Sequence, residues 1–236
     1  MSQDTVIVFG GTGAIGSAIC RHFVASGWKV VAVGRTRPTQ GTDGVSWLTY
    51  DPEIGRADEA FAQLPHPVGA AVWAQGRNLN DDIYSLDFEA HRDLYRANVF
   101  YILETMQALL NGDKLAKPAR FCIISSIWQA IARQNKLSYC VTKAALHGLV
   151  QSAAIDLGRD GHLINAVLPG ALDTPMTRAN LSAEQIGRLE GETPTGRLPT
   201  LDDVCRTTSF LCSSDNAGIT GQFIAVDGGF SYARKL

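Results

Sequence analysis

Val6-Ile7-Val8-Phe9-Gly10-Gly11-Thr12-Gly13-Ala14-Ile15-Gly16 passes from four consecutive apolar residues, through a glycine-rich turn, into a helical pattern. A short apolar run bounded by a turn reads as a buried strand. Glycines allow a tight turn and let backbone approach a pyrophosphate closely. The helix that opens here offers unpaired N–H groups and its positive dipole end to an anion. That helix is expected over about 15–26, with Gly27 capping its end. Residues 30–33, Val-Val-Ala-Val, are the next strand, completing a strand–helix–strand unit of the usual ~30 residues. A plain glycine-rich connector has the same composition. The strand–turn–helix context favours nucleotide binding by Gly10, Gly11, Thr12, Gly13, Ala14, Ile15 and Gly16.

The same alternation continues outward. Strands are expected at 45–50, 68–74, 121–124, 163–168 and 223–226. Helices are expected to end near 64 and to cover 88–110, 139–157 and 201–212. Continuous apolar strands alternating with helices imply an α/β fold, a Rossmann-type doubly wound parallel sheet covered on both faces. No shift in composition marks a second domain, so residues 1–236 read as a single dinucleotide-binding and catalytic domain. The least regular stretch, 170–199, is the candidate substrate lid, with a helical pattern at 182–190.

Composition excludes several classes. The chain has 236 residues, 45% hydrophobic and 19% charged, with a net charge of −2. That charge offers no basic field to nucleic acid or anionic lipid. No run of ~18 apolar residues predicts a membrane span. The passage from Met1 almost directly into the Val6 strand has no secretory pattern. Cys20, Cys122, Cys140, Cys205 and Cys212 are dispersed and odd in number, which argues against a disulfide framework and for a reducing, cytoplasmic setting. No metal site is expected, and His22, His66, His91, His147 and His162 lack a partner pattern.

At the end of the second strand stands Gly34-Arg35-Thr36-Arg37. A carboxylate would grip a ribose 2′-hydroxyl there. Two guanidiniums, Arg35 and Arg37, instead match a 2′-phosphate and favour NADP(H), with Arg35 and Thr36 as cofactor-binding candidates; as solvated surface charges the arginines would have no such role. Asp51, closing the third strand, suits either the adenine amino group or a cap within Asp51-Pro52-Glu53.

Tyr139 and Lys143 stand one helical turn apart and share a face. An ammonium beside a phenol favours the phenolate, and so is expected to lower the tyrosine pKa. Such a tyrosine near a nucleotide is a proton donor or acceptor for carbonyl chemistry. Ser126 lies thirteen residues before it, with Ser125 as a competitor.

On these residues the chain resembles the short-chain dehydrogenase/reductase family, in its short single-domain branch with the 3-oxoacyl reductases. The matching features are the Gly10–Gly16 turn, Asn98, Ser126, Tyr139-x-x-x-Lys143, Asn165-Ala-Val-Leu-Pro169-Gly170, Thr174, and Thr220-Gly221 through Asp227-Gly228-Gly229. Two features depart from the branch. The turn has the glycine spacing of the longer epimerase-type enzymes, with Ala14 where a glycine is usual. Trp73-Ala74-Gln75-Gly76 replaces Asn-Asn-Ala-Gly, and backbone is expected to supply the lost asparagine support at Ala74.

The resemblance implies a reversible hydride transfer at a ketone or secondary alcohol, 3-oxoacyl thioesters being one candidate class. Tyr139 would move the proton, and Lys143 would hold the nicotinamide ribose and lower the Tyr139 pKa. Ser126 would bond the substrate oxygen, while Asn98 would bind a water linking Lys143 to solvent. Ala74, Gly76, Pro169, Gly170 and Thr174 would line the cofactor. Trp128 and Gln129, shortly after Ser126, are candidates for the substrate wall, with core packing the equal alternative for Trp128. A homotetramer or homodimer is also implied. A non-catalytic NADP(H) sensor or a nucleotide-sugar epimerase are the alternatives. The intact Ser126–Tyr139–Lys143 set opposes the first, and the short chain the second.

Overall fold

The computed structural model describes residues 4–39, 41–64, 67–174, 177–178 and 181–233. Seven strands form one sheet: β1 (Thr5–Phe9), β2 (Lys29–Gly34), β3 (Val45–Thr49), β4 (Val68–Trp73), β5 (Leu115–Ile124), β6 (Leu163–Pro169) and β7 (Phe223–Val226). All neighbours pair in parallel, in the order β3-β2-β1-β4-β5-β6-β7. The direction of winding reverses between β1 and β4. Their carboxyl ends therefore splay apart and open the crevice in which open α/β sheets bind ligands.

Side chains alternate across the sheet. Ile7 and Phe9 face one layer with α4 (Tyr101–Asn111) and α5 (Leu137–Gly158); its buried helical members include Ile102, Met106, Leu146 and Val150. Val6 and Val8 face the other layer, where α1 (Ala14–Ala25) and α7 (Leu201–Cys212) bury Ile19, Phe23, Val204 and Leu211. Gly27, at φ +81°, takes the left-handed position just beyond α1.

Three elements differ from the sequence reading by more than one or two residues at an end. The helix expected to end near 64 is short: α2 covers Ala57–Phe61, and a turn carries the chain on, with the Leu64 N–H donating to the Phe61 carbonyl. Strand β5 starts six residues early, because Leu115 and Ala119 are buried across the polar Lys117-Pro118 interruption and the pairing with β4 shifts register to absorb it. The helix over 88–110 is not uniform. It runs as α3 (Phe88–Tyr95), a π-turn at Arg96–Phe100, and α4. A π-turn widens the helix by one residue, and such turns gather at functional sites. Asn98 stands in its middle.

Trp73, fully buried at the end of β4, braces the junction of β1 and β4 from the core. Its ring stacks on Phe9 with centroids 5.3 Å apart. Its Nε1 donates to Thr105 Oγ1 on α4 at 2.8 Å. The backbone completes the join, because the Ala74 N–H donates to the Phe9 carbonyl at 2.9 Å. Restoring the family residue by Trp73→Asn therefore removes a core aromatic and its bond. Unfolding in urea is expected to show a loss of about 3–5 kcal/mol; a loss below about 1 kcal/mol would assign the bracing to backbone alone.

Candidate active site

The crevice begins at the glycine turn. Gly10 has φ +77°, and a Cβ there would stand 2.6 Å from the Gln75 backbone nitrogen. A Cβ on Gly16 would meet the Gly10 carbonyl oxygen at 2.1 Å. Only hydrogen fits at these two positions, so β1, β4 and α1 converge on one narrow cradle. Gly13 is the N-cap of α1 and gives the first turn no side-chain partner, and that turn holds no acidic residue. Its N–H groups and dipole are thus available to an anion. Ala14, in place of the usual glycine, is the first residue of this helix. The residues present fit a dinucleotide's pyrophosphate.

At the β2 end, Gly34 abuts the turn: a Cβ there would stand 3.3 Å from Thr12 Cγ2. Arg35 and Thr36 follow, both exposed. Burial holds the Tyr101 phenol above its ordinary pKa, Glu104 and Asp51 push it the same way, and Arg35 opposes them. Arg35 thus shares this corner with Asp51. Asp51 Oδ1 accepts the Glu53 N–H at 3.1 Å, closing a turn. It does not cap α2, whose N-cap is Arg56.

On the far side of β4 the polar groups gather. Ser126 stands two residues beyond β5 and caps the short turn Ile127–Gln129, its Oγ accepting the Trp128 N–H at 3.3 Å, and its hydroxyl is close enough to that of Tyr139 to favour the phenolate. Ser125 is committed elsewhere, donating to Gln129 Oε1 at 2.7 Å. Gln129 is thereby tied to Ser125, and Trp128 lines a small apolar cavity. Lys143 is buried, one turn beyond Tyr139 on α5. Its Nζ donates to the Ile124 carbonyl at 3.2 Å and lies 5.7 Å from the Tyr139 ring centroid.

The electrostatics correct one expectation. The Tyr139 pKa is raised, because burial disfavours the phenolate more than the neighbouring Ser126 hydroxyl favours it. Lys143 does not reverse this: its ammonium lies over the ring and is bonded to a carbonyl. Burial lowers the pKa of Lys143 itself to about 8.

Asn98 is buried, and its carboxamide bridges three segments. Oδ1 accepts the Arg77 N–H at 2.8 Å, while Nδ2 donates to the Arg77 carbonyl at 3.1 Å and to Thr142 Oγ1 at 3.0 Å. Thr142 Oγ1 in turn donates to the Tyr139 carbonyl at 2.9 Å. Sequence reasoning passed over Thr142, although it lies three residues after Tyr139 on the same helix. Gly76 sits beneath this group; the point its Cβ would occupy is 3.4 Å from Asn98 Oδ1 and 3.7 Å from Lys143 Nζ.

The β6 end closes the crevice. Pro169 is its last residue, and the Gly170 N–H donates to the Val226 carbonyl at 3.0 Å. A Gly170 Cβ would lie 2.9 Å from that of Asp227, whose carboxylate accepts the N–H groups of Gly229 and Ser231, each at 2.8 Å. Thr174 turns its hydroxyl to Thr177: the two Oγ1 atoms are 3.0 Å apart and the Thr177 N–H donates to Thr174 at 3.2 Å. Within the stretch 170–199, residues 175, 176, 179 and 180 lie outside the described residues. Helix α6 (Ala183–Glu192) opens with a capping box between Ser182 and Gln185.

Beneath α6 is an apolar cavity of about 20 Å³, lined by Ile127, Trp128, Leu189, Leu198 and Phe230 among others. Phe230, which the sequence did not single out, packs edge-on against Trp128 at 6.4 Å. A larger cavity of about 520 Å³ lies along β7 and α7 and contains none of Ser126, Tyr139 or Lys143; its place at the sheet edge separates it from the crevice chemistry. The histidines serve structure. His162 Nδ1 accepts the Ala119 N–H at 2.8 Å, His91 bonds Ser138 Oγ at 2.7 Å, and His147 stacks on Phe223. His66 lies outside the described residues.

Known proteins agree with this architecture. The family described as Enoyl-(Acyl carrier protein) reductase matches residues 54–231. The 3-oxoacyl-acyl-carrier-protein reductase MabA of Mycobacterium bovis is 30% identical over 227 residues, covering 95% of this chain and 92% of its own. An oxidoreductase of the short-chain dehydrogenase/reductase family from Burkholderia thailandensis superposes with a TM-score of 0.88 at 27% identity, covering 99% of this chain and 95% of its own. A gluconate 5-dehydrogenase from Burkholderia cenocepacia, in complex with NADP and tartrate, shares the fold with a TM-score of 0.89 at 23% identity, covering 98% of this chain and 96% of its own. With a family match over most of its length and a cradle, serine, tyrosine and lysine around one crevice, the chain belongs to the short-chain dehydrogenase/reductase family.

Proposed function

We propose that this chain is an NADP(H)-dependent oxidoreductase that interconverts a ketone and a secondary alcohol, with 3-oxoacyl thioesters or other small carbonyl compounds as substrates. The observation that carries the reading is the Tyr139 hydroxyl, with Ser126 as its neighbour and the buried Lys143 one helical turn away. MabA's activity on 3-oxoacyl groups supports the thioester class, and the apolar lining under α6 suits a substrate with a hydrocarbon portion. The cofactor, when bound, supplies or accepts the hydride. Gly10 to Gly16 and the first turn of α1 receive the pyrophosphate, with Ala74, Gly76, Pro169 and Gly170 along the remaining walls. Arg35, with Thr36 beside it, receives the 2′-phosphate.

The raised pKa of Tyr139 keeps its phenol protonated at neutral pH, the state needed to give a proton to the carbonyl oxygen. Ser126 shares that oxygen, and the two donors stabilise negative charge developing on it. Lys143, titrating near 8, is mostly charged at pH 7 and offers its N–H groups to ribose hydroxyls. Asn98 acts with Lys143 to hold a water that links the lysine to solvent; the point a Gly76 Cβ would take, 3.4 Å from Asn98 Oδ1 and 3.7 Å from Lys143 Nζ, supports this. Thr174 reaches the cofactor only if its bond to Thr177 yields.

Residues 170–199 act as a lid, with α6 folding over the substrate and Leu189 against it. The protein works as a homodimer or homotetramer. Phe88, Phe100, Leu103, Val141 and Ile155 are exposed along α3 to α5, and β7 is an open sheet edge. Five free cysteines, four of them buried, suit a cytoplasmic setting, and among the described residues no helix is long and apolar enough to cross a membrane.

Three outcomes test this reading. With a ketone panel including acyl thioesters, Tyr139→Phe is expected to slow NADPH oxidation by at least about 100-fold while NADPH binding persists; undiminished turnover refutes the role of Tyr139. Losing a charged bond to phosphate, Arg35→Ala should weaken NADPH by about 10- to 100-fold and leave NADH nearly unchanged, as read by fluorescence titration. Equal effects on the two remove the 2′-phosphate assignment. The folded pKa of Lys143, about 8, is below its ordinary 10.5, so its charge is lost as pH rises through about 8. The reductive kcat/KM should hold steady from pH 6 to 7.5 and decline above about 8, and a profile flat to pH 10 contradicts it.

A further inference from the structure

Gln75 keeps both polar atoms of its carboxamide, Nε2 and Oε1, buried and without a hydrogen-bond partner. A buried amide with neither end bonded is a costly arrangement, rare in folded proteins and in need of a reason. Asn98, on the same crevice, shows the ordinary outcome, with donor and acceptor both engaged.

The position supplies the reason. The Gln75 N and Cα lie 2.6 and 2.7 Å from where a Gly10 Cβ would stand, so its backbone is pressed against the glycine turn. The next residue, Gly76, lies under Lys143 Nζ. Gln75 is therefore strung between the cradle and the buried lysine, at the sheet's switch point. The usual motif places an alanine here, which has no side-chain hydrogen-bonding capacity, so the amide is a feature of this chain.

We infer that the Gln75 carboxamide reads the bound dinucleotide by bonding a ribose hydroxyl, an inference that rests on the nucleotide reading of the crevice. The chemistry selects that group. A phosphate oxygen only accepts and would leave Oε1 unsatisfied, whereas a hydroxyl both donates and accepts and answers both ends of the amide. The hydroxyl belongs to the adenosine or to the nicotinamide ribose, and the two sources can be told apart.

The test compares the wild-type protein with Gln75→Met, which keeps the length and removes both polar atoms. Titration of the wild type with NADPH comes first, since failure to bind overturns the nucleotide reading itself. Given binding, Gln75→Met is expected to weaken NADPH about tenfold. In the absence of nucleotide it should melt about 2–4 °C higher, because two unsatisfied buried atoms are gone. With 2′,5′-ADP as probe, a matching loss assigns the adenosine ribose and no loss assigns the nicotinamide ribose. Unchanged NADPH affinity overturns the inference. A lower melting temperature without nucleotide also overturns it, because it marks Gln75 as a satisfied structural residue.

Discussion

The carboxamide of Asn98 holds the crevice in register. Its three bonds tie the loop after β4, through both backbone groups of Arg77, to the first turns of α5, through Thr142. Thr142 passes the constraint to the carbonyl of Tyr139, the residue whose hydroxyl meets Ser126. Arg77 is next to Gly76, over which Lys143 lies. The side chain can reach all of these because the helix widens at Arg96–Phe100 into a π-turn with Asn98 at its centre. A buried amide with this many partners is rigid as well as satisfied, since losing any one bond strands a polar group.

The opposite wall is set by exclusion of atoms. Gly10 has no room for a methyl group against Gln75, and Gly16 none against the Gly10 carbonyl. Two backbones and a helix terminus are thereby brought together without side chains between them. Trp73 backs this arrangement from the core, stacked on Phe9 of β1 and bonded to Thr105 of α4. The junction of β1 and β4 is thus braced from the core by a large aromatic. The cost of that solution is specificity of shape: only an indole both fills the layer and carries the N–H that reaches Thr105.

Much of this was legible in the chain, for physical reasons. Strands buried on both faces must be apolar throughout, so β1, β2, β4 and β6 announce themselves as runs. The glycine turn and the Tyr139–Lys143 spacing are local, and local geometry is what sequence encodes. The π-turn was not legible, because 88–110 has ordinary helical periodicity and the extra residue is stabilised by contacts of Asn98 with distant segments. The choice of Ser126 over Ser125 needed Gln129 in place to occupy the latter. Asp51 was ambiguous between ligand and cap, and its bond to Glu53 shows a turn role that neither reading described. The direction of the Tyr139 shift was misjudged because spacing reports proximity to Lys143 but says nothing of desolvation.

That last point bears on how the site works. Burial acts on both partners in the same sense, toward neutrality: the phenol holds its proton more tightly and the amine more loosely. A charged pair, phenolate with ammonium, would have to overcome two desolvation costs, and a ring-face contact at 5.7 Å is poor compensation. The protein chain by itself therefore presents a neutral phenol beside the Ser126 hydroxyl, the form suited to giving a proton. Taking a proton from an alcohol requires the phenolate, so that direction must draw its stabilisation from Ser126, from Lys143 in a more favourable placement, or from alkaline pH. The asymmetry originates in the depth at which α5 is packed, so the acid–base role proposed for Tyr139 would depend on the apolar residues that bury the helix as much as on the tyrosine.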